Sequence, residues 1–295
     1  MPVLTLRDAL RESDRNHVAL GHFNFSEIVV LKAVTAVARQ LGVPVLVGVS
    51  ESEREFVGVR QAVALVRSIR DEFGAPVFLN ADHTHSLEKA LEAAKAGFDM
   101  VVFDASARAF DENLEQSRRA VEAVKSIRED IIVEGEIGYI GSSSAIHSSV
   151  PQDMSPLTTA EEAKQFVEAT AVDVLAPALG TMHGMLKAMA AGEEHKHLDI
   201  QRIAEIKAAT GTFLTLHGGS GTEVAEITRG IRAGLNIVHI NTELRLAWRR
   251  GLQDAFARHP DEIAPYHLLP AASEAVSEVV RFWLQAFQSD TRAVA

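Results

Sequence analysis

The chain has 295 residues, with 29 Lys plus Arg against 40 Asp plus Glu. The net charge of -11 argues against nucleic acid or an anionic membrane surface as the main partner, while a local set of donors can still hold a small anion. Cysteine is absent, which excludes a disulfide framework and thiolate chemistry.

No apolar run approaches the ~20 residues that span a bilayer, and the start MPVLTLRDALRESD is too charged for a signal peptide. A soluble, cytoplasmic globule is expected. Short apolar runs then alternate with longer amphipathic stretches. The predicted strands are 18–25, 43–50, 76–83, 99–106, 130–138, 173–180, 212–219 and 236–243. Helical patterns lie between them, such as SLEKALEAAKAG, where Ser86 reads as an N-cap and Gly97 as the stop. Near-continuous apolar strands suit a parallel sheet covered on both faces. Eight of them in strict alternation with helices predict an α/β fold, a (β/α)8 TIM barrel, with a doubly wound open sheet as the weaker alternative. A barrel takes roughly 250 residues as one unit, and no Pro/Gly/Ser-rich linker divides the chain, so 1–295 is expected to be one domain. Two long connections, 139–157 and 181–198, follow strands and fall on the C-terminal face. An extra amphipathic helix at about 270–290, with the core VVRFWLQAF, would cover the barrel or join a subunit interface. A homodimer or homotetramer is the expected assembly.

Polar residues collect where the strands end. The hexapeptide NADHTH closes the third strand with Asp82 and His83; Asp104 and Ser106 end the fourth, and Glu134 and Glu136 the fifth. His183 follows the sixth, His217 with GGSGT follows the seventh, and His239, Asn241 and Thr242 end the eighth. In a barrel these ends converge on one rim, where barrel active sites sit. Histidines from three strands make a site for a divalent metal with a position left open for substrate. Without cysteine and with carboxylates near, zinc or a similar borderline metal fits. Most of the 12 histidines, such as His17, His259 and His267, read as solvated, as do His195 and His197 in the tract GEEHKH. Asp104 and Glu134 either orient the ligands or are N-cap and surface acids. The GGSGT turn, opening a predicted helix, lets backbone N–H groups approach an anion, and INTEL adds a second set of donors. A metal beside an anion pocket with Asp82 as acid/base has the parts for a retro-aldol reaction on a sugar phosphate.

With these residues in place the chain resembles the class II, metal-dependent fructose-bisphosphate aldolases and their tagatose-bisphosphate relatives, nearly end to end. LGHFNFSEIVVLKAV is similar to the family's opening segment, NADH to its strand-three motif, VEGEIG to its strand-five Glu motif, and LGTMHGMLK and LHGGSGT to its two His-Gly segments. The resemblance implies that His83, His183 and His217 bind catalytic zinc, with Glu136 as an alternative ligand and Asp104 and Glu134 counted beside them. It implies that Asp82 is the acid/base on the C4 hydroxyl. Gly184, Gly218 and Ser220 would line a phosphate and monovalent-cation site, with Gly219, Thr242, Asn24, Ser50, Lys187 and Asn241 as further substrate contacts. The implied reaction is reversible cleavage of a ketose phosphate to dihydroxyacetone phosphate and an aldehyde, by default fructose 1,6-bisphosphate giving glyceraldehyde 3-phosphate. The chain departs from the pattern at four places. His239 stands where the family has an Asn that binds the enediolate, Ile237 where it has a Lys, and Thr84-His85 where Gly follows the metal histidine. The loop after strand five has no acid before Asp153, which leaves His147 to move the substrate proton. The other readings are a hydrolase using zinc-bound water and a non-catalytic sugar-phosphate binder.

Overall fold

The computed structural model describes residues 4–141, 143–150 and 154–288. Eight parallel strands close into a barrel: β1 (Leu20–Asn24), β2 (Val45–Val49), β3 (Val77–Thr84), β4 (Met100–Phe103), β5 (Ile132–Ile137), β6 (Val174–Pro177), β7 (Phe213–Leu216) and β8 (Leu235–His239). β1 closes the ring by pairing with β8 as well as β2. The ring of helices comprises α2 (Ile28–Leu41), α4 (Val59–Phe73), α5 (Leu87–Ala96), α6 (Phe110–Ile127), α7 (Ala160–Thr170), α9 (Ile200–Thr210), α10 (Val224–Ala233) and α11 (Thr242–Arg258). α1 (Leu6–Asn16) precedes the barrel, α3 (Glu51–Val57) and α8 (Lys187–Ala190) are short insertions, and α12 (Pro265–Phe287) ends the fold. Residues 289–290 of the expected terminal helix lie outside the described residues. Among the described residues no helix is long and apolar enough to cross a membrane.

α5 forms where the sequence says it should start and stop. Ser86 accepts the Lys89 N–H, and Gly97 takes a left-handed φ of 108° that a side chain would resist. Inside the barrel the strands' period of two sorts the chemistry by height. The lowest inward layer is apolar, with Leu20, Leu46, Phe78, Met100, Ile132, Val174 and Ile237, and α1 plugs it with Leu6 and Leu10. The alternate positions face the helices in the larger core with Val47, Leu79, Val101, Val133 and Leu175. Two residues up, the inward positions turn polar on five strands, with His22, Asn80, Glu134, Thr215 and His239, and this polarity marks the way to the C-terminal mouth.

The two long connections carry structure of their own. Ile146–His147 pairs in parallel with Met185–Leu186, a two-stranded ribbon that ties one loop to the other. Asp153 lies outside the described residues. α12 packs against α2 and α11. Its Trp283 indole N–H donates to Glu243 Oε2 at 2.7 Å, and Glu243 Oε1 accepts the Gly221 N–H at 2.9 Å. The terminal helix therefore reaches the glycine-rich turn through one carboxylate.

Candidate active site at the barrel mouth

A cavity of about 430 Å³ opens at the C-terminal ends of the strands. Its lining includes Asn24, Ser50, Asp82, His83, Asp104, His183, Gly184, Gly218, Ser220, His239, Asn241 and Thr242. Residues spread across the whole sequence thus share one wall, because parallel strands all end on the same face.

Asp82 and His83 are neighbours that both face the mouth. Strand geometry forbids this unless the alternation breaks, and it does. His83 has φ 38°, a strained value for a residue with a side chain, and the β3–β4 register shifts between Ala81 and Thr84. Buried Arg54 braces the kink by donating to Val49 O (2.7 Å), Asp82 O (3.1 Å) and Thr84 Oγ1 (3.0 Å). Thr84 thereby has a structural use: it ties the end of the strand to α3.

Ligand atoms of His83, Glu136, His183 and His217 all lie within 4.8 Å of one another. His183 Nε2, His217 Nδ1 and Glu136 Oε2 are buried without hydrogen-bond partners, which a buried polar atom avoids unless something fills the gap. The two acids left open by the sequence orient ligands. Asp104 Oδ2 lies 2.9 Å from His83 Nδ1, and Glu134 Oε1 lies 2.7 Å from His217 Nε2 while Oε2 accepts from Thr215. Each fixes a ring and its tautomer, so these carboxylates would act on a bound metal through the histidines. The three histidines are not electrostatically alike. Burial opposes charge on all of them, but Asp82 and Asp104 raise His83 to about 9, and Glu134 and Glu136 raise His217 well above its ordinary value. Burial, with the charges of His83 and His217, pushes His183 well below it. The set is a ready donor group for a divalent cation.

Asp82 Oδ2 accepts from Asn24 Nδ2 at 2.9 Å, while Oδ1 is buried without a partner. Burial alone would raise its pKa, but His83, His22 and His217 hold it well below the usual carboxylate range. His239 Nδ1 stands 3.7 Å from Asp82 Oδ1. Burial keeps His239 neutral, and its ring stacks on His22 with centroids 3.6 Å apart and planes within 10°. His22 is neutral as well, lowered to about 4 by burial, with Nε2 2.9 Å from Asn80 Nδ2. It fits only because β2 carries Gly48, where a Cβ would run into the imidazole. Sequence reasoning missed His22. A single histidine in an apolar strand reads as a satisfied core residue, and its signal lay in the glycine opposite, visible only once the register is known.

At the other end, Gly184, Gly218, Ser220, Asn241 and Thr242 converge. α10 starts only at Val224, so the turn 218–222 runs ahead of its helix, and the helix starting at the cavity wall is α11 with Thr242. Several expected contacts sit elsewhere. Lys187 is exposed and Gly219 gives its N–H to His239 O; neither lines the cavity. His147 lies behind Gly184, bonded to Ser143 O at 3.1 Å, also off the lining. Ile237 belongs to the lower apolar layer. His85 stands at the mouth, its Nδ1 3.1 Å from Asp104 O and its N–H on Glu51. Lys196, hidden in the tract GEEHKH, is only 4% exposed. Its Nζ donates to the carbonyls of Met182, Gly184 and Gly218, the two glycines being those expected beside a loose monovalent cation. Burial lowers this ammonium to about 7, and Glu243 opposes that.

The family model described as fructose-bisphosphate aldolase class-II matches residues 4–292. The fructose-bisphosphate aldolase of Staphylococcus epidermidis is 31% identical over 296 residues, covering 99% of this chain and 100% of the relative. Among solved structures, the YdjI aldolase of Escherichia coli K12 superposes with a TM-score of 0.81 at 26% identity, over 98% of both chains. The fructose-bisphosphate aldolase of Campylobacter jejuni shares the fold at a TM-score of 0.78 and 17% identity, over 96% of this chain and 93% of that one.

Proposed function

The chain belongs to the class II fructose-bisphosphate aldolase family and is an aldehyde-lyase; from that premise we propose that it cleaves a ketose phosphate reversibly to dihydroxyacetone phosphate and an aldehyde, at a divalent metal held by His83, His183 and His217. The observation that carries the reading is the unpartnered Asp82 Oδ1, set 4.0 Å from His83 Nε2 in a cavity whose other end gathers Gly184, Gly218, Ser220 and Thr242. The donor set fits zinc: nitrogen ligands, no thiolate, a carboxylate at hand, and buried ligand atoms that lack partners. Bound there, the ion would polarise the ketose carbonyl and stabilise the enediolate left by carbon–carbon cleavage.

The chain's own residues supply the rest. Asp82 takes the proton from the C4 hydroxyl as the bond breaks and returns it in condensation. Asn24 holds the far oxygen of that carboxylate, so the free one stays aimed into the cavity. His239, neutral and with a buried unpartnered Nε2, replaces an amide with a ring nitrogen that can pair with a substrate oxygen. The phosphate of the dihydroxyacetone half sits against Ser220, Asn241 and Thr242. The aldehyde half then faces a mouth lined by Glu51, Glu55 and His85, where Arg245, the one lining Arg among the described residues, sits 2.7 Å from Glu53. Such a rim disfavours a second phosphate, so fructose 1,6-bisphosphate is the reference substrate rather than the preferred one. The same reading makes residues 1–295 one domain of a cytoplasmic homodimer or homotetramer.

The test is dialysis against a chelator, then cleavage assays with fructose, tagatose and other ketose mono- and bisphosphates, with and without zinc. Cleavage that vanishes on chelation and returns with zinc is expected. Failure of every ketose phosphate in the zinc-loaded protein refutes the reading.

A further inference from the structure

Three carbonyl oxygens from two different loops point at one spot. Met182 and Gly184 straddle His183, and Gly218 follows His217. The loops come this close because Gly184 and Gly218 adopt φ of 76° and 64°, and a Cβ on Gly218 would strike Met182 O. A convergence of carbonyl dipoles is a cation site. Here the chain fills it: Lys196 Nζ lies 2.7 Å from Met182 O, 2.6 Å from Gly184 O and 2.8 Å from Gly218 O. Three acceptors consume three N–H donors, a number only the ammonium form has. No space of this kind is left for a loose ion, so the expected monovalent cation does not fit.

The lysine is also fastened from its backbone. Its N–H donates to Gly221 O at 2.9 Å, and it bridges in parallel to Thr222. The anion end of the cavity has little other positive charge: among the described residues Arg245 is the one Lys or Arg in the lining, and it is paired with Glu53.

We propose that Lys196 is a built-in monovalent cation. Its ammonium fills the cage of Met182, Gly184 and Gly218, locks together the loops bearing His183 and His217, and places a positive charge behind the phosphate position, the three carbonyls favouring the protonated form against burial. Phosphate binding then needs neither sodium nor potassium. The inference rests on the aldolase reading only for which ligand the charge serves; the cage itself does not depend on it.

The experiment measures inorganic phosphate affinity of the zinc-loaded protein by calorimetry, in sodium, potassium or tetramethylammonium chloride at equal ionic strength. The unaltered protein should bind equally in all three salts. Lys196→Ala opens the cage and should lose about tenfold to a hundredfold in tetramethylammonium, the range of a lost charged contact, recovering in sodium or potassium. Lys196→Met fills the space without charge and should recover in neither. A dependence on sodium or potassium in the unaltered protein overturns the proposal, and so does Lys196→Ala binding phosphate undiminished in tetramethylammonium. The salt comparison on the unaltered protein stands even if a variant fails to fold. A failed aldolase reading shows separately, as absent cleavage with the salt pattern of phosphate binding intact.

Discussion

Replacing Asp82 with Asn isolates the proton step from the rest of the site. The amide keeps the size of the side chain and an oxygen for Asn24, whose Nδ2 lies 2.9 Å from Asp82 Oδ2. Asp82 makes no hydrogen bond to the neighbouring histidines: its Oδ1 is 4.0 Å from His83 Nε2 and 3.7 Å from His239 Nδ1. The bonds that orient the ligands, from Asp104 and Glu134, survive unchanged. A positioned acid/base contributes about 10²–10⁴ in rate, which is roughly 2.7–5.4 kcal/mol at 1.36 kcal/mol per decade. A carboxylate about 4 Å from a cation also adds on the order of 1–4 kcal/mol of attraction, so part of the effect would appear as weaker metal binding. The assay therefore runs at saturating zinc, with metal content measured by atomic emission and cleavage followed by trapping dihydroxyacetone phosphate. Full metal occupancy with kcat down by about 10²–10⁴ is expected. A fully loaded variant with kcat unchanged would remove Asp82 from the proton step.

Glu134→Gln should weaken zinc binding by about 10–100-fold, because Glu134 fixes the ring of the proposed ligand His217; a competitive chelator titration reads this. Gly48→Ala should cost about 1–3 kcal/mol by overpacking and lower Tm by about 2–10 °C, since the new methyl meets the His22 imidazole. In a His22→Ala background the same substitution should cost little, and an equal Tm loss in both backgrounds would refute the contact. Arg54→Met leaves Val49 O, Asp82 O and Thr84 Oγ1 without their shared donor. Leaving buried acceptors unpaired costs about 1–3 kcal/mol each, so denaturant unfolding should show a loss of at least that size, and kcat should fall as the kink at His83 loosens.

All eight strands were legible because each is a continuous apolar run, the consequence of being covered on both faces. Seven came out shorter, as at β6, where the reading 173–180 contracts to Val174–Pro177, while β3 keeps its length and shifts by one residue to Val77–Thr84. The terminal residues of a run bend out of the ladder to form the rim. The candidate ligands His83, His183 and His217 stood out for the same reason, as polar side chains stranded at the ends of apolar runs, and the fold brings their ring nitrogens together. Two kinds of residue stayed hidden. His22 looks like core in one dimension, and its meaning depends on Gly48, Asn80 and His239 across the barrel. Lys196 sits in a polar tract whose other side chains are at least partly exposed, and only the fold turns its own side chain inward. In both cases the deciding partner lies tens of residues away, where periodicity carries no information. Lys187 is the converse: a local motif match whose side chain points to solvent.

The chain from Trp283 through Glu243 to the Gly221 N–H has a consequence for the order in which the molecule is made. The glycine-rich turn is synthesised some sixty residues before the indole that steadies it. α12 also closes the barrel's first strand, with Phe287 O accepting the Ala19 N–H at 3.1 Å and Gln288 donating to Ala19 O at 3.0 Å. A nascent chain can therefore hold every catalytic side chain and still lack both the seal on β1 and the clamp on the anion turn. Full bracing of the site therefore waits for α12, the element that supplies both contacts.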